Sequence, residues 1–374
     1  MLILINSSVV DNGDENTWDD DTVLALENLA SARREGKHAV MAERETLKKI
    51  AQCRRLSEFA RRTYNKLFNQ STQFQSYLSA VTTYIEIVNP CYEPEVVSNS
   101  GKQIIKVAPR FFNDSELVQK TILLCENIND AALYENIAKV YVVWNNINVK
   151  IVCEHRGGGG NTISLEYINI QKSKKRLCLC IVDSDKIAPD SNLGSTASLI
   201  QTQSDSTCIN TQTFILDCRE IENLIPNSIL SELCLGNQER LQALKILEDI
   251  SSNAVDVRYF LDIKKGTLMK EIINAINPKI KSFWKVKIAL IPNISSSTDK
   301  WCQDNWQCSN NSGKCECKIS LGFGENTLNN TVEYLKEKNP HEIAKKVDKS
   351  MQDDWGKIGQ IVVNWCIAGS PIRV

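Results

Sequence analysis

The strongest constraint on the fold is an alternation of two kinds of segment between residues 103 and 265. Short apolar runs typical of strands alternate with longer segments typical of helices, such as DAALYENIAKVYVVW and NTISLEYINIQKSKK. The strand-like runs are TILLC, VKIVC, LCLCIV, TFILDC and VRYFLDIK. Because parallel strands need a crossover connection that is usually a helix, this alternation predicts an α/β fold with a mainly parallel sheet flanked by helices.

The rest of the chain predicts two further regions. Residues 1–95 combine the strand-like LILIN and HAVMA with long helical patterns, which indicates a helix-rich α/β domain. The segment NPCYEPEVVSNSGK is rich in turn-forming residues and is predicted to be the linker to the central domain, residues 103–265. Residues 266–374 form a third region, which contains a group of cysteines.

Composition excludes several classes of protein. With 42% hydrophobic and 24% charged residues, the chain has the composition of a soluble globular protein. No signal peptide and no membrane-spanning segment are expected, so the predicted location is the cytoplasm and no membrane partner is expected. Many of the 14 cysteines lie inside apolar runs, which is typical of free thiols in a reducing compartment. A net charge of −1 restricts any nucleic-acid contact to local basic patches.

Carboxylates follow the predicted strands one after another. Glu126 follows TILLC, Glu154 follows VKIVC, and the pair Asp183 and Asp185 follows LCLCIV. Sites in open α/β sheets form beyond the carboxyl ends of parallel strands. If Asp183 and Asp185 continue the strand, they point to the same side and repel one another unless a cation lies between them. The alternative is a solvated turn.

These motifs resemble the TOPRIM catalytic domain, in the form found in nucleases of the overcoming-lysogenization-defect (OLD) type and related anti-phage effectors. The resemblance rests on LLCENINDAALYENIA, KIVCEHRGGGGNT and LCIVDSDK, and the first motif has Glu-Asn where the family often has Glu-Gly. It implies a nuclease that uses Mg²⁺ or Mn²⁺ to hydrolyse DNA or RNA. The implied metal ligands are Glu126, Asp130, Asp183 and Asp185, the further ligands or base are Glu220 and Glu222, and the cation that stabilises charge is Lys264 or Lys265.

The resemblance leaves several roles open. Glu154 is either catalytic or part of a turn cap, and His155 beside it is the histidine nearest to the predicted site. The chain lacks the stretch G-x-x-x-x-G-K-[ST], so a separate ATPase or sensor protein is the expected partner. A homo-oligomer also stays open. Residues 1–95 resemble a PIN-like nuclease domain in which Asn6 replaces the expected aspartate, which indicates an inactive scaffold.

Three other features have two interpretations each. The basic segments QKSKKR and NPKIKSFWKVK either contact nucleic acid, with Phe283 and Trp284 stacking on bases, or form solvated surface. Four cysteines lie close together in the sequence and are either a structural zinc site or free thiols: Cys302, Cys308, Cys315 and Cys317. The alternative to a nuclease is a noncatalytic adaptor or immunity component, in which the acidic cluster holds a structural ion or no metal.

Overall fold

The chain divides into two compact units. The computed structural model describes residues 1–10, 18–205, 207–291, 302, 305–307 and 316–373. Unit 1 comprises Met1–Cys180, Gln203–Phe214 and Trp355–Val374, and unit 2 comprises Ile181–Thr202 and Ile215–Asp354. These boundaries differ from the three predicted regions, because segments that are far apart in the sequence pack into the same unit.

Unit 1 begins with a five-stranded sheet in the order β2-β1-β3-β5-β4. Its strands are β1 (Leu2–Ile5), β2 (Ala39–Ala42), β3 (Thr83–Ile87), β4 (Glu95–Asn99) and β5 (Lys102–Val107). β1 is parallel to β2 and β3, β3 is parallel to β5, and β4 is antiparallel to β5. The predicted strands LILIN and HAVMA are confirmed as β1 and β2.

The predicted linker NPCYEPEVVSNSGK is wrong, because it contains strand β4. This strand pairs with β5 from Glu95 opposite Lys106 to Asn99 opposite Lys102. The connecting residues Ser100 and Gly101 have φ angles of 50° and 78°. Two consecutive residues with positive φ are typical of the tight turn that joins two antiparallel strands. The turn-forming residues of this segment therefore mark a hairpin.

A second sheet has the order β10-β9-β6-β8 and contains the predicted motifs. Its strands are β6 (Ile122–Cys125), β8 (Glu154–Gly157), β9 (Cys178–Val182) and β10 (Thr211–Ile215). β6 is parallel to both β8 and β9, and every residue of β6 and β9 is buried. A strand that is apolar on both faces is typical of a parallel sheet covered by helices. The predicted α/β class with parallel-rich sheets is confirmed.

The helices of unit 1 begin and end at residues that the sequence marks. Asp19 caps the first helix by accepting from the backbone N–H of Thr22 at 2.7 Å, and acidic residues fill the first turn. The helices are α1 (Asp20–Arg34), α2 (Arg44–Gln52), α3 (Glu58–Asn69), α4 (Phe74–Ala80), α5 (Ile128–Trp144), α6 (Ile163–Ser173) and most of α14 (Gln352–Cys366). The two predicted helical segments of the central region are confirmed as α5 and α6.

Helix α14 joins distant parts of unit 1. The side chain of Asn364 accepts from the backbone N–H of Thr82 at 2.9 Å, across 282 residues of sequence. The hydroxyl of Thr121, just before β6, donates to the carbonyl of Trp365 at 2.7 Å. After α14 the chain forms β11 (Ile367–Ala368), which pairs antiparallel with β7 (Lys150–Ile151). The helix therefore bonds to residues beside strands of the five-stranded sheet and of the four-stranded sheet.

Unit 2 is mostly helical. Its helices are α7 (Ser195–Gln203), α8 (Asn227–Leu233), α9 (Gln238–Asn253), α10 (Met269–Ile273), α11 (Pro278–Ile288), α12 (Thr327–Lys336) and α13 (Pro340–Lys346). Trp284 of α11 is fully buried and its indole N–H donates to the carbonyl of Ile187 at 2.7 Å. Phe283 makes edge contacts with Phe260 and Trp284. The prediction that Trp284 stacks on bases is wrong, because its ring belongs to the core of unit 2.

The predicted strand VRYFLDIK is also wrong. Residues Val255–Phe260 form a 3₁₀ helix. Arg258, which is 5% exposed, donates to the carbonyls of Asn223 and Ile225, and the side chain of Asn223 donates to the carbonyl of Arg258 at 2.7 Å. A buried guanidinium must find acceptors, and the carbonyls of Asn223 and Ile225 supply them to Arg258 in this conformation.

Within the parts of the chain that the structure describes, no helix combines the length and the apolar character that crossing a bilayer requires.

Candidate functional site

Strand β9 ends at Val182, before the two predicted aspartates. Asp183 accepts from the backbone N–H of Ile221 at 3.0 Å, and the buried hydroxyl of Ser184 donates to the carbonyl of Cys218 at 2.6 Å. Asp185 is exposed and has a φ of 55°, a left-handed conformation that Asp tolerates better than most residues. The expectation that strand alternation points Asp183 and Asp185 to the same side is therefore wrong at Asp185.

Asp183 lies in unit 2 with two buried glutamates and a lysine. Glu220 is 7% exposed and Glu222 is 1% exposed. The Lys264 ammonium lies 3.3 Å from one oxygen of Glu222 and 3.6 Å from an oxygen of Glu220. The other oxygen of Glu220 accepts from the backbone N–H of Ile263 at 2.7 Å. Asp183, Glu220, Glu222 and Lys264 are called the carboxylate–lysine cluster below.

Electrostatics distinguish this cluster from ordinary surface ion pairs. Burial, followed by repulsion from Glu222, raises the pKa of Glu220 to about 7. Burial also raises the pKa of Glu222, although Lys264 opposes the shift. For Lys264, burial alone lowers the pKa, but attraction to Glu222, Glu220 and Asp183 outweighs burial and raises it. Three carboxylates and one ammonium leave an excess of negative charge, which the protein partly relieves by favouring protonated glutamates.

The neighbouring charges are paired elsewhere in unit 2. Arg219 lies 3.5 Å from Asp262 and 3.1 Å from Glu271, so its ion pairs are with residues outside the cluster. Lys265 has a side chain that is 68% exposed and lies 3.7 Å from Glu325. Of the two lysines that the sequence suggested, Lys264 is the one that contacts the glutamates.

Glu126 and Asp130 lie in unit 1, where β6 leads into α5. Asp130 is 7% exposed, and one of its carboxylate oxygens accepts from the backbone N–H of Asn127 at 2.8 Å as part of a capping box. The glycine turn after β8 meets this segment, because the N–H of Gly158 donates to Cys125 and the N–H of Gly159 donates to the carbonyl of Glu126. Helix capping accounts for one oxygen of Asp130 without any metal.

The turn after β8 requires glycine at one position. A Cβ atom on Gly158 would lie 2.3 Å from the Cβ and 2.6 Å from the Cα of Ile163. No side chain fits at such a distance from backbone atoms. At Gly158 the turn therefore packs directly against Ile163, the first residue of α6.

Glu154 is at the wrong end of its strand for the predicted site. It begins β8 and pairs with Ile122, the first residue of β6, whereas Glu126 follows the last residue of β6. Its carboxylate bonds to Arg156 and lies 2.6 Å from Arg176. These two cations lower its pKa although burial opposes them. The catalytic interpretation of Glu154 is contradicted, and its carboxylate serves as an ion-pair partner.

The sequence analysis missed a second polar cluster, which lies in unit 1. The members are Glu135 of α5, His155 of β8, and Cys153, which lies just before β8. Each places one ligand atom within 4.8 Å of the other two, and in the described part of the chain no other such group of three is found. Nε2 of His155 lies 2.6 Å from Oε2 of Glu135, and the sulfur of Cys153 lies 3.9 Å from the same oxygen. Glu135, Cys153 and His155, called the Glu–Cys–His group below, can hold a metal ion.

The pKa values in this group shift because its charges are paired. Burial alone raises the pKa of Glu135, but bonds to His155 and Lys139 outweigh it and lower that pKa to about 2. Contacts with Cys153 and Glu135 raise the pKa of His155 to about 9. Only the Cys-x-His spacing is visible in the sequence, since Glu135 lies on a helix 18 residues before Cys153.

The predicted zinc site and basic segments are only partly described. Cys308 and Cys315 lie outside the described residues, and the sulfurs of Cys302 and Cys317 are 3.4 Å apart. The lysines of QKSKKR are exposed at the end of α6, whereas Arg176 bonds to Glu154. The zinc and nucleic-acid interpretations stay predictions.

The chain matches no protein-family model, no curated protein and no solved structure.

Proposed function

We propose that this chain is a metal-dependent nuclease that hydrolyses phosphodiester bonds in DNA or RNA at the carboxylate–lysine cluster of unit 2. The observation that carries the proposal is one oxygen of Glu222. Among the described residues this buried atom has no hydrogen-bond partner, although the residue is 1% exposed. A buried carboxylate oxygen without a donor is costly, and a bound cation would satisfy it.

The residues of the cluster fit Mg²⁺ or Mn²⁺. Both ions prefer carboxylate oxygens, and the cluster supplies three carboxylates whose excess charge Lys264 neutralises only in part. Glu222 would hold the ion through its unpartnered oxygen, together with Asp183, and Glu220 stays outside the ligand set. The ligands implied by the TOPRIM resemblance outside this cluster, Glu126, Asp130 and Asp185, stay predictions.

Each residue of the cluster has a chemical role in this proposal. The bound ion supplies charge neutralisation and makes water a stronger acid. Glu220, with a pKa of about 7, is suited to take a proton from the attacking water near neutral pH. Lys264 stays protonated because its pKa is raised, so its ammonium can stabilise the charge that develops on the phosphate. Asp183 is held in place by the N–H of Ile221.

The proposed biological role is that of an effector of bacterial anti-phage defence, as in the OLD-type nucleases that the TOPRIM motifs resemble. A separate ATPase or sensor protein would control it. The support for this role is the order of the motifs and the buried acidic cluster, and the cytoplasm is the expected location.

The test is cleavage of plasmid DNA and of transfer RNA with Mg²⁺, with Mn²⁺ and with EDTA. Glu222→Gln should lower the cleavage rate by at least about 100-fold, because the variant loses a metal ligand. The matched control is Glu325→Gln, which changes a glutamate that is 68% exposed and should cleave like the wild type. Equal cleavage by both variants, with both folded by circular dichroism, contradicts the proposal.

One observation favours a second function. Lys264 already contacts both buried glutamates, so the cluster can be a structural element of a noncatalytic adaptor or immunity component. Wild-type protein that cleaves neither substrate, and whose melting temperature does not rise with Mg²⁺ or Mn²⁺, supports this function in place of the nuclease.

A further inference from the structure

The Glu–Cys–His group lies in unit 1 and is not used by the proposed nuclease chemistry. Glu135 lies on α5 and His155 lies on β8. Cys153 lies in the short connection between β7 and β8. The nitrogen and sulfur atoms both approach Oε2 of Glu135, at 2.6 and 3.9 Å. Three different donor types therefore converge on one point.

The donors indicate which metal would bind. Thiolate and imidazole are soft or intermediate ligands that favour Zn²⁺ over Mg²⁺. In a tetrahedral zinc site, bond lengths of about 2.0–2.3 Å place neighbouring ligand atoms about 3.3–3.5 Å apart. The oxygen and nitrogen of this group need to separate by about 0.7 Å and the oxygen and sulfur to approach by about 0.4 Å, which side-chain rotation can supply.

The surroundings favour a bound cation with one open position. Lys139 lies 2.6 Å from Oε1 of Glu135, which leaves Oε2 facing His155 and Cys153. The side chains of His155 and Glu135 are 26% and 20% exposed, so solvent reaches the group. The thiol of Cys153 also contacts the buried thiol of Cys366. Catalytic zinc sites typically combine three protein ligands with one water.

We propose that Glu135, Cys153 and His155 bind one Zn²⁺ ion, with a water molecule as the fourth ligand. Binding replaces two protons, one on the Cys153 thiol and one shared by His155 and Glu135, so the ion forms bonds to sulfur, nitrogen and oxygen while two protons leave to solvent. The charge of the group is then unchanged, because thiolate and carboxylate balance the divalent ion. This site is independent of the nuclease proposal and does not depend on its outcome.

The first test uses Co²⁺ as a coloured substitute for Zn²⁺, added to the full chain after chelation and dialysis. Wild-type protein should develop thiolate-to-cobalt charge-transfer absorption, and Cys153→Ser should bind about one equivalent less Co²⁺ than the wild type. His155→Gln should weaken binding by at least about 100-fold, which is the upper range seen when supporting residues of a metal site are removed. Cys91→Ser removes a thiol outside the group and should bind Co²⁺ like the wild type.

Two further measurements exclude other sources of the signal. Cys302→Ser should leave the Cys153-dependent part of the Co²⁺ absorption unchanged, which separates this site from the cysteines near Cys317. Alkylation of the folded wild type by iodoacetamide, read by peptide mass spectrometry, should be slowed by Zn²⁺ at Cys153 and not at Cys91. An alkylation rate of Cys153 that is unaffected by Zn²⁺, or equal Co²⁺ binding by Cys153→Ser and wild type, overturns the proposal even if a variant folds poorly.

Discussion

Two glutamates in this chain, the half-buried Glu135 and the buried Glu220, have pKa values that shift in opposite directions. Glu135 of unit 1 has a pKa lowered to about 2, whereas Glu220 of unit 2 has a pKa raised to about 7. Burial raises both. The difference comes from the neighbours, since Glu135 contacts His155 and Lys139, and Glu220 shares a single lysine with Glu222.

In this comparison, the charges beside each glutamate decide whether the effect of burial on its pKa is reinforced, as at Glu220, or reversed, as at Glu135. A carboxylate with two cationic partners stays ionised at every physiological pH and is suited to be a fixed ligand. A carboxylate in a cluster with excess negative charge titrates near neutral pH and is suited to proton transfer. The two clusters therefore predict different responses to mutation, pH and metal ions.

The largest expected effect is on the free energy of unfolding of Lys264→Met. Removing the ammonium leaves Glu220 and Glu222 buried without their cation, which should cost about 2–4 kcal/mol after allowance for the partial exposure of Lys264. Mg²⁺ should restore part of this loss, because the ion can replace the ammonium. The matched control is Lys265→Met, an exposed neighbour that should change stability by less than about 0.5 kcal/mol. Urea unfolding with and without Mg²⁺ measures both, and equal stability of the two variants contradicts the interpretation.

The next effect is a pH dependence of opposite sign for the two glutamates. Glu220 has a raised pKa, so its favourable contribution is present below about pH 4.5 and is lost as pH rises to about 7. Relative to the wild type, Glu220→Gln should therefore gain up to about 3 kcal/mol between those pH values. Glu135 has a lowered pKa, so its contribution is present above about pH 4.5 and is lost as pH falls towards 2.

Urea unfolding from pH 3 to pH 7 distinguishes the two. The stability difference between wild type and Glu220→Gln should change mainly above pH 4.5, and the difference between wild type and Glu135→Gln should change mainly below it. If both stability differences change over the same pH range, the pKa values of Glu220 and Glu135 do not shift in opposite directions.

The smallest effect concerns the two aspartates after β9. Asp183→Ala leaves the N–H of Ile221 without its acceptor and should cost about 1–2 kcal/mol. Asp185→Asn should change stability by less than about 0.5 kcal/mol, because Asp185 is exposed and Asn tolerates its φ of 55°. Thermal unfolding measures the stability of both variants relative to the wild type. A larger loss for Asp185→Asn would show that Asp185 has a structural role that its exposure does not indicate.

The sequence predicted the elements better than the contacts between them. The apolar runs ILLC and CLCIV form strands that are buried at every residue. A continuous apolar run of this kind is visible in the sequence and is typical of a strand in a covered parallel sheet. The hairpin formed by β4 was missed because its turn residues are those of a linker as well. Trp284 was misassigned because lysines alternate with apolar residues in this segment, so the buried face of α11 is not evident from the sequence.

The residues of the candidate sites were also predicted better than the contacts between them. Glu220, Glu222 and Lys264 were found through the resemblance to known motifs. Glu135 could not be found, because the spacing between this helix residue and the later Cys153 and His155 does not show that their side chains meet. Glu154 was misplaced because the strand begins at the residue where it was predicted to end.

The bond between Thr82 and Asn364 has a consequence for synthesis in the cell. A ribosome adds about 5–20 residues per second, so roughly tens of seconds pass between the synthesis of Thr82 and the synthesis of Asn364. During that interval the apolar surface that α14 covers is exposed, while all of unit 2 is being made. Chaperone binding to the nascent chain is expected to end when α14 packs onto unit 1. A ribosome stalled before residue 355 would hold a chain in which all of unit 2 has been made and unit 1 is unfinished.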